Sequence, residues 1–204
     1  MERNNETGLI PPNRSGKAIT AEATHKFGSA DAARMFYETA KQRMLDVNQW
    51  KDLGGTATFQ LTDNIGNEVD RGVRKGDHFR IDIPGPGTVA GDGYDWAYVE
   101  DVEEVTNGDV QSVAVLVRPA ENPLSNDSNT AHFFSKQSTS SFVITRQGNT
   151  VSAGIYDRNI EPNTETESLV DKARNALVGL GAKHGMSKVQ WQSLVDAFVK
   201  PNAT

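Results

Sequence analysis

Between Thr56 and Tyr156 apolar residues alternate with polar ones in short runs, whereas on either side they recur every three or four positions. Alternation gives a strand one apolar face, and three-four spacing gives a helix one apolar stripe, so the pattern predicts a sheet flanked by helices. Ala57, Phe59 and Leu61 mark one strand, and Phe79, Ile81 and Ile83 mark another. Val113 to Val117 is apolar at every position, which predicts a central strand with both faces covered. Asn107-Gly108 separates that run from Trp96 to Val105 and predicts a hairpin with a type I′ turn, because both turn residues tolerate positive φ. Val99, Val102 and Val105 step by three, which predicts a bulge; a short helix is the rival reading. Phe133 to Arg146 and Thr150 to Tyr156 form a second hairpin around Gln147-Gly148-Asn149.

Before the sheet, Ser29 reads as an N-cap. Ala33, Phe36, Tyr37, Ala40, Met44 and Val47 then supply a stripe that predicts one helix ending near Leu53, where Gly54-Gly55 offers a left-handed exit. After the sheet, Thr164 and Glu167 have capping-box spacing and open a helix that Gly181 ends. Ser187 and Gln190 open a second, with Met186 stapled to Trp191 and Leu194, Val195 and Phe198 buried until Pro201. The expected class is α+β: a strongly curved, mainly antiparallel sheet of six or seven strands, open or closed as a small barrel. One N-terminal helix and a C-terminal helical pair cover it. Residues 1–28 show no sustained period and contain Pro11-Pro12, which predicts a flexible arm, or a strap docking through Ile10 and Ile19. Residues 29–204 are expected to form a single domain.

Charge narrows the partners. Twenty-one basic against 27 acidic residues leave a formal charge of −6, which repels phosphate backbones, so no nucleic-acid partner is expected. Eight carboxylates and no Lys or Arg lie between Arg80 and Arg118, making the first hairpin acidic. The absence of cysteine excludes disulfides, zinc-thiolate sites and thiol nucleophiles. No run of about 18 apolar residues is present, and the first residues lack a secretory core, so the expected protein is soluble and cytoplasmic, without a membrane partner.

Candidate chemistry is sparse. Gly85 to Gly93 resembles a phosphate loop but lacks the Lys-Ser/Thr pair, and a structural connection is the better reading. Asp92, Asp95, Glu100 and Asp101 do not match a calcium loop, and His25, His78, His132 and His184 have no metal spacing, so no metal or cofactor is expected. Trp96 and Tyr98 share a strand parity and could present an aromatic surface. Arg118, Arg146 and Arg158 at strand ends could supply planar donors for a carboxylate or phosphate. The predicted ligand-binding set is therefore Trp96, Tyr98, Arg118, His132 and Arg158. The expected function is a non-enzymatic binding or assembly module for a protein partner or a small anionic ligand. The alternatives are a hydrolase or isomerase assembled around His132 with Ser138 or Asp127, and, third, a helix-turn-helix-like DNA reader using the terminal helices.

Overall fold

A computed structural model describes residues 5–55, 57–83, 88–163 and 183–201. Seven strands form one antiparallel, curled sheet: β1 (Lys17–Lys26), β2 (Thr58–Thr62), β3 (His78–Asp82), β4 (Asp95–Asn107), β5 (Val110–Pro119), β6 (Thr139–Gln147) and β7 (Thr150–Ile160). Their order is β1-β7-β6-β5-β4-β3-β2. The all-apolar segment Val113 to Val117 thus lies in the middle strand, as its two-sided pattern requires. The two ends of this order, β1 and β2, do not pair among the described residues, so the sheet is open. Three helices, α1 (Ala30–Leu45), α2 (Trp50–Leu53) and α3 (Lys183–Val199), complete the described elements with a 3₁₀ turn at Val47–Gln49.

The concave face carries the main core. Phe59, Phe79, Val99, Val115, Phe142 and Ile155 from six strands meet Tyr37, Met44 and Phe198 from the helices. Trp50 sits among them, with ring centroids 4.7 Å from Phe142, 5.1 Å from Phe59 and 5.9 Å from Phe198. The Ser29 cap is present, its hydroxyl accepting from the Ala32 amide at 3.1 Å. The helix that the stripe extends to Leu53, however, breaks at Asp46. The cause is competition for its last turn. The Leu45 carbonyl accepts from Val73, and the Asn48 amide group bonds Leu61 N and Val69 O. The break swings Trp50 inward, where its indole N–H caps the Arg43 and Met44 carbonyls.

Both hairpins form, with one correction. Asn107 pairs with Val110, so the first turn is Gly108-Asp109 rather than Asn107-Gly108. Gly108 alone takes positive φ there (57°), the condition of a II′-like turn rather than I′. The expected β4 bulge lies between Val99 and Asp101. Strand β6 begins at Thr139 rather than Phe133, and residues 131–138 form a loop ahead of it. Helix α3 starts at Lys183, four residues before Ser187, so Ser187 is inside the helix and not its cap. The helix expected from Thr164 to Gly181 lies outside the described residues.

Within the stretch read as an arm, Lys17–Lys26 is a full edge strand pairing with β7 along its length. Its alternation is weak in sequence because the inward row, Ile19, Ala21, Ala23 and His25, contains two alanines and a histidine. Ahead of it the chain crosses the convex face. Ile10, 4% exposed, packs with Ala114, Val143 and Tyr156, and the Ser141 hydroxyl donates to the Leu9 carbonyl at 2.6 Å. Gly16, at φ 59°, makes the corner into β1; a Cβ there would collide with the Ile160 carbonyl.

Candidate functional site

Odd-numbered residues of β7 face the concave side, where Val151, Ala153 and Ile155 join the core. The next in that row is Asp157, a carboxylate only 3% exposed. It stands directly opposite Ser140 of β6, whose hydroxyl donates to Asp157 Oδ1 at 2.6 Å. From above, α3 contributes Trp191, whose indole N–H donates to Oδ2 at 2.8 Å. Burial pushes this carboxyl up to about 6; the Ser140 and Trp191 hydrogen bonds and the charge of Arg158 pull it the other way.

This group lines a cavity of about 90 Å³ between the sheet and α3. Phe59, Phe79, Ile81, Ala97, Val117 and Phe142 supply apolar walls from five strands, and Trp191 and Gln190 come from α3. One wall is the loop with His132, Phe133 and Phe134; the first two rings stack at 4.4 Å and the last two meet at a tilt, 4.2 Å apart. Asp95, 1% exposed, fixes that loop by accepting from the Phe133 amide at 3.1 Å. The apolar walls come from positions that alternate correctly on their strands. What places them around one void is the sheet's curl, which lifts β2 and β3 toward the helices.

Of the five predicted site residues, the structure brings Arg118 and His132 to this cavity. Arg118 is held by Glu100 through Nε and Nη2, at 2.5 and 2.9 Å, and donates to the Lys136 carbonyl. His132 Nδ1 accepts from the Phe134 amide at 3.0 Å. Trp96 and Tyr98 share one face, as their parity requires, but Ala97 and Val99 take the cavity side and put that face opposite. Trp96 is buried there, its indole N–H donating to the Gly91 carbonyl at 3.3 Å, while Tyr98 lies half-exposed 5.2 Å from the His78 ring. Arg158 also faces away, toward Ile19 O and Thr20 Oγ1. Arg146 ties the two hairpin tips together through Asp109, Gln111 and Gly148.

Of the elements of a nucleophilic triad, His132 and Ser138 both line this cavity and Asp127 does not. The Ser138 hydroxyl donates to the Asn159 carbonyl, and Asp127 lies in a separate open pocket with His78 and Glu121. The acidic hairpin is matched by cations, Glu100 with Arg118, Asp101 with Lys75 and Glu104 with Lys41. Among the described residues no three His, Asp or Glu side chains are grouped to hold a metal, and no helix is long and apolar enough to cross a membrane. Sequence reasoning missed Asp157, although a charged residue continuing the buried row Val151, Ala153, Ile155 was the available signal.

No protein-family model and no curated protein matches the chain. Among solved structures, a hypothetical protein from Helicobacter pylori superposes with a TM-score of 0.56 at 11% identity, covering 98% of this chain and 95% of that one. A conserved protein from Geobacillus kaustophilus gives 0.42 at 11% identity over 90% and 93% of the two chains. A START superfamily protein from Mycobacterium smegmatis gives 0.35 at 10% identity over 88% and 99%. The first of these shows a shared fold, and the two lower scores add nothing to it.

Proposed function

We propose that this chain is a small-molecule binding module whose ligand occupies the cavity between the sheet and α3. The observation that carries this reading is a void of about 90 Å³ with aromatic and aliphatic walls and a buried carboxylate set into its floor. Apolar walls with a few fixed polar groups are the usual composition of ligand pockets, the first supplying affinity and the second orientation. Size limits the occupant: a void of about 150 Å³ accepts benzene, so this one fits a short aliphatic chain or a ring inserted in part. The predicted anionic ligand finds little support here, because the cavity's guanidinium, Arg118, is already neutralised by Glu100.

Titrating the chain with 1-butanol and isobutanol while following the Trp191 indole N–H resonance tests the reading. Both alcohols should shift that resonance in a saturable way. Ala97→Leu, which adds three carbons to the cavity wall, should abolish the shift and leave the amide spectrum folded. An unmoved Trp191 signal in the wild type, or an Ala97→Leu variant that still responds, would refute cavity binding.

A further inference from the structure

We propose that the ligand of this cavity is an amine whose ammonium group pairs with the Asp157 carboxylate; the proposal rests on the cavity reading above and specifies its occupant. Each Asp157 oxygen receives one neutral donor, Ser140 Oγ–H and Trp191 Nε1–H. An ionised carboxylate has roughly four acceptor positions, so half of its capacity is unused. No Lys, Arg or His forms an ion pair with Asp157 among the described residues. Arg158, its sequence neighbour, points to the other face of the sheet and bonds Ile19 and Thr20.

A buried anion with no ion-paired partner is costly, even with the charge of Arg158 acting from the other face of the sheet, and such sites concentrate where a ligand completes them. The neighbouring Phe142 and Trp191 rings, at 5.7 Å from one another and perpendicular, offer π-faces that favour a cation over an anion. A hydroxyl ligand could donate a hydrogen bond but would leave the charge uncompensated. A carboxylate or phosphate ligand would be repelled. A short alkylamine satisfies the carboxylate with its N–H groups and fills the aromatic space with its chain. With the carboxyl raised only to about 6, Asp157 is largely ionised near neutrality, as pairing requires.

Isobutylamine, isobutanol and isobutyrate share one carbon skeleton and differ in charge, so their affinities at pH 7.5, read from Trp191 N–H, isolate the contribution of the head group. The amine should bind at least about tenfold tighter than the alcohol, a difference on the order of 1.4 kcal/mol. In Asp157→Asn that advantage should vanish while the alcohol still binds. Lowering the pH to 5 should weaken the wild-type affinity for the amine about tenfold, as the ionised fraction of Asp157 falls, with the alcohol little changed. This arm needs no variant. Equal affinities for amine and alcohol, an advantage that survives Asp157→Asn, or preference for isobutyrate would overturn the amine assignment while leaving the cavity reading intact. Silence from all three compounds would remove both.

Discussion

Asp157 is ionised in the unfolded chain above its ordinary value of 3.8, but the folded protein holds its proton up to about 6. The raised value means that the folded state binds the proton more tightly. Its stabilising share is full below pH 3.8, falls as pH rises through the window to 6, and is absent above it. The difference corresponds to a cost on the order of 3 kcal/mol at neutral pH. Urea midpoints of wild type and Asp157→Asn should therefore converge at acid pH and separate near pH 7.5, with the Asn variant the more stable, since its amide can still accept from Trp191. A variant that is less stable at pH 7.5 would show the charge to be well solvated. Trp96→Ala should act differently, costing about 3 to 5 kcal/mol through the void it leaves and leaving alcohol binding unchanged at equal folded fraction. At this scale parity correctly grouped Trp96 with Tyr98, but it could not say which face of the sheet the helices would cover. Arg118 and Arg158 were readable as planar donors; that Glu100 takes one and Ile19 the other depends on strand register.

The elements were legible wherever a turn residue and an alternating run coincided. Strands β2 to β7, the bulge and the first helix start all follow from local pattern. What escaped was set by contacts distant in sequence. Helix α1 stops at Asp46 because Val73 and Asn48 compete for its end, and β1 exists because β7 offers a free edge. The C-terminal end of α3 illustrates the same dependence: Arg43 of α1 donates to the Ala197, Phe198 and Lys200 carbonyls, at 2.6 Å for the last. A cation at a helix C-terminus satisfies orphan acceptors and complements the dipole. Arg43→Met keeps the packed stem and removes the fork, so it should cost about 1 to 2 kcal/mol by denaturation and raise amide exchange selectively in the last turn of α3. Uniform exchange gain across the sheet would argue that Arg43 acts through the core instead.

For the molecule as a whole, two opposed surfaces of one sheet are covered by different means. Helices close the concave side around the cavity, and residues 5–13 strap the convex side through Leu9 and Ile10. Ile10→Ala should lower stability by about 2 to 4 kcal/mol while leaving alcohol binding at the cavity intact, measured by paired denaturation and titration. Loss of binding in a folded variant would instead couple the two faces. The cavity itself was not legible, because its lining comes from six strands, a loop and α3, and only the curl of the sheet makes them neighbours. Strand order has a kinetic corollary. The first strand hydrogen-bonds to the last, and Ile19 and Arg158 stand 139 positions apart in the chain. On a ribosome adding about 5 to 20 residues per second, β1 must wait roughly 7 to 28 seconds for its partner to be made. Throughout that interval the nascent chain carries an unzipped ribbon that only the completion of β7 can shelter, so translation speed and chaperone access bear directly on its yield.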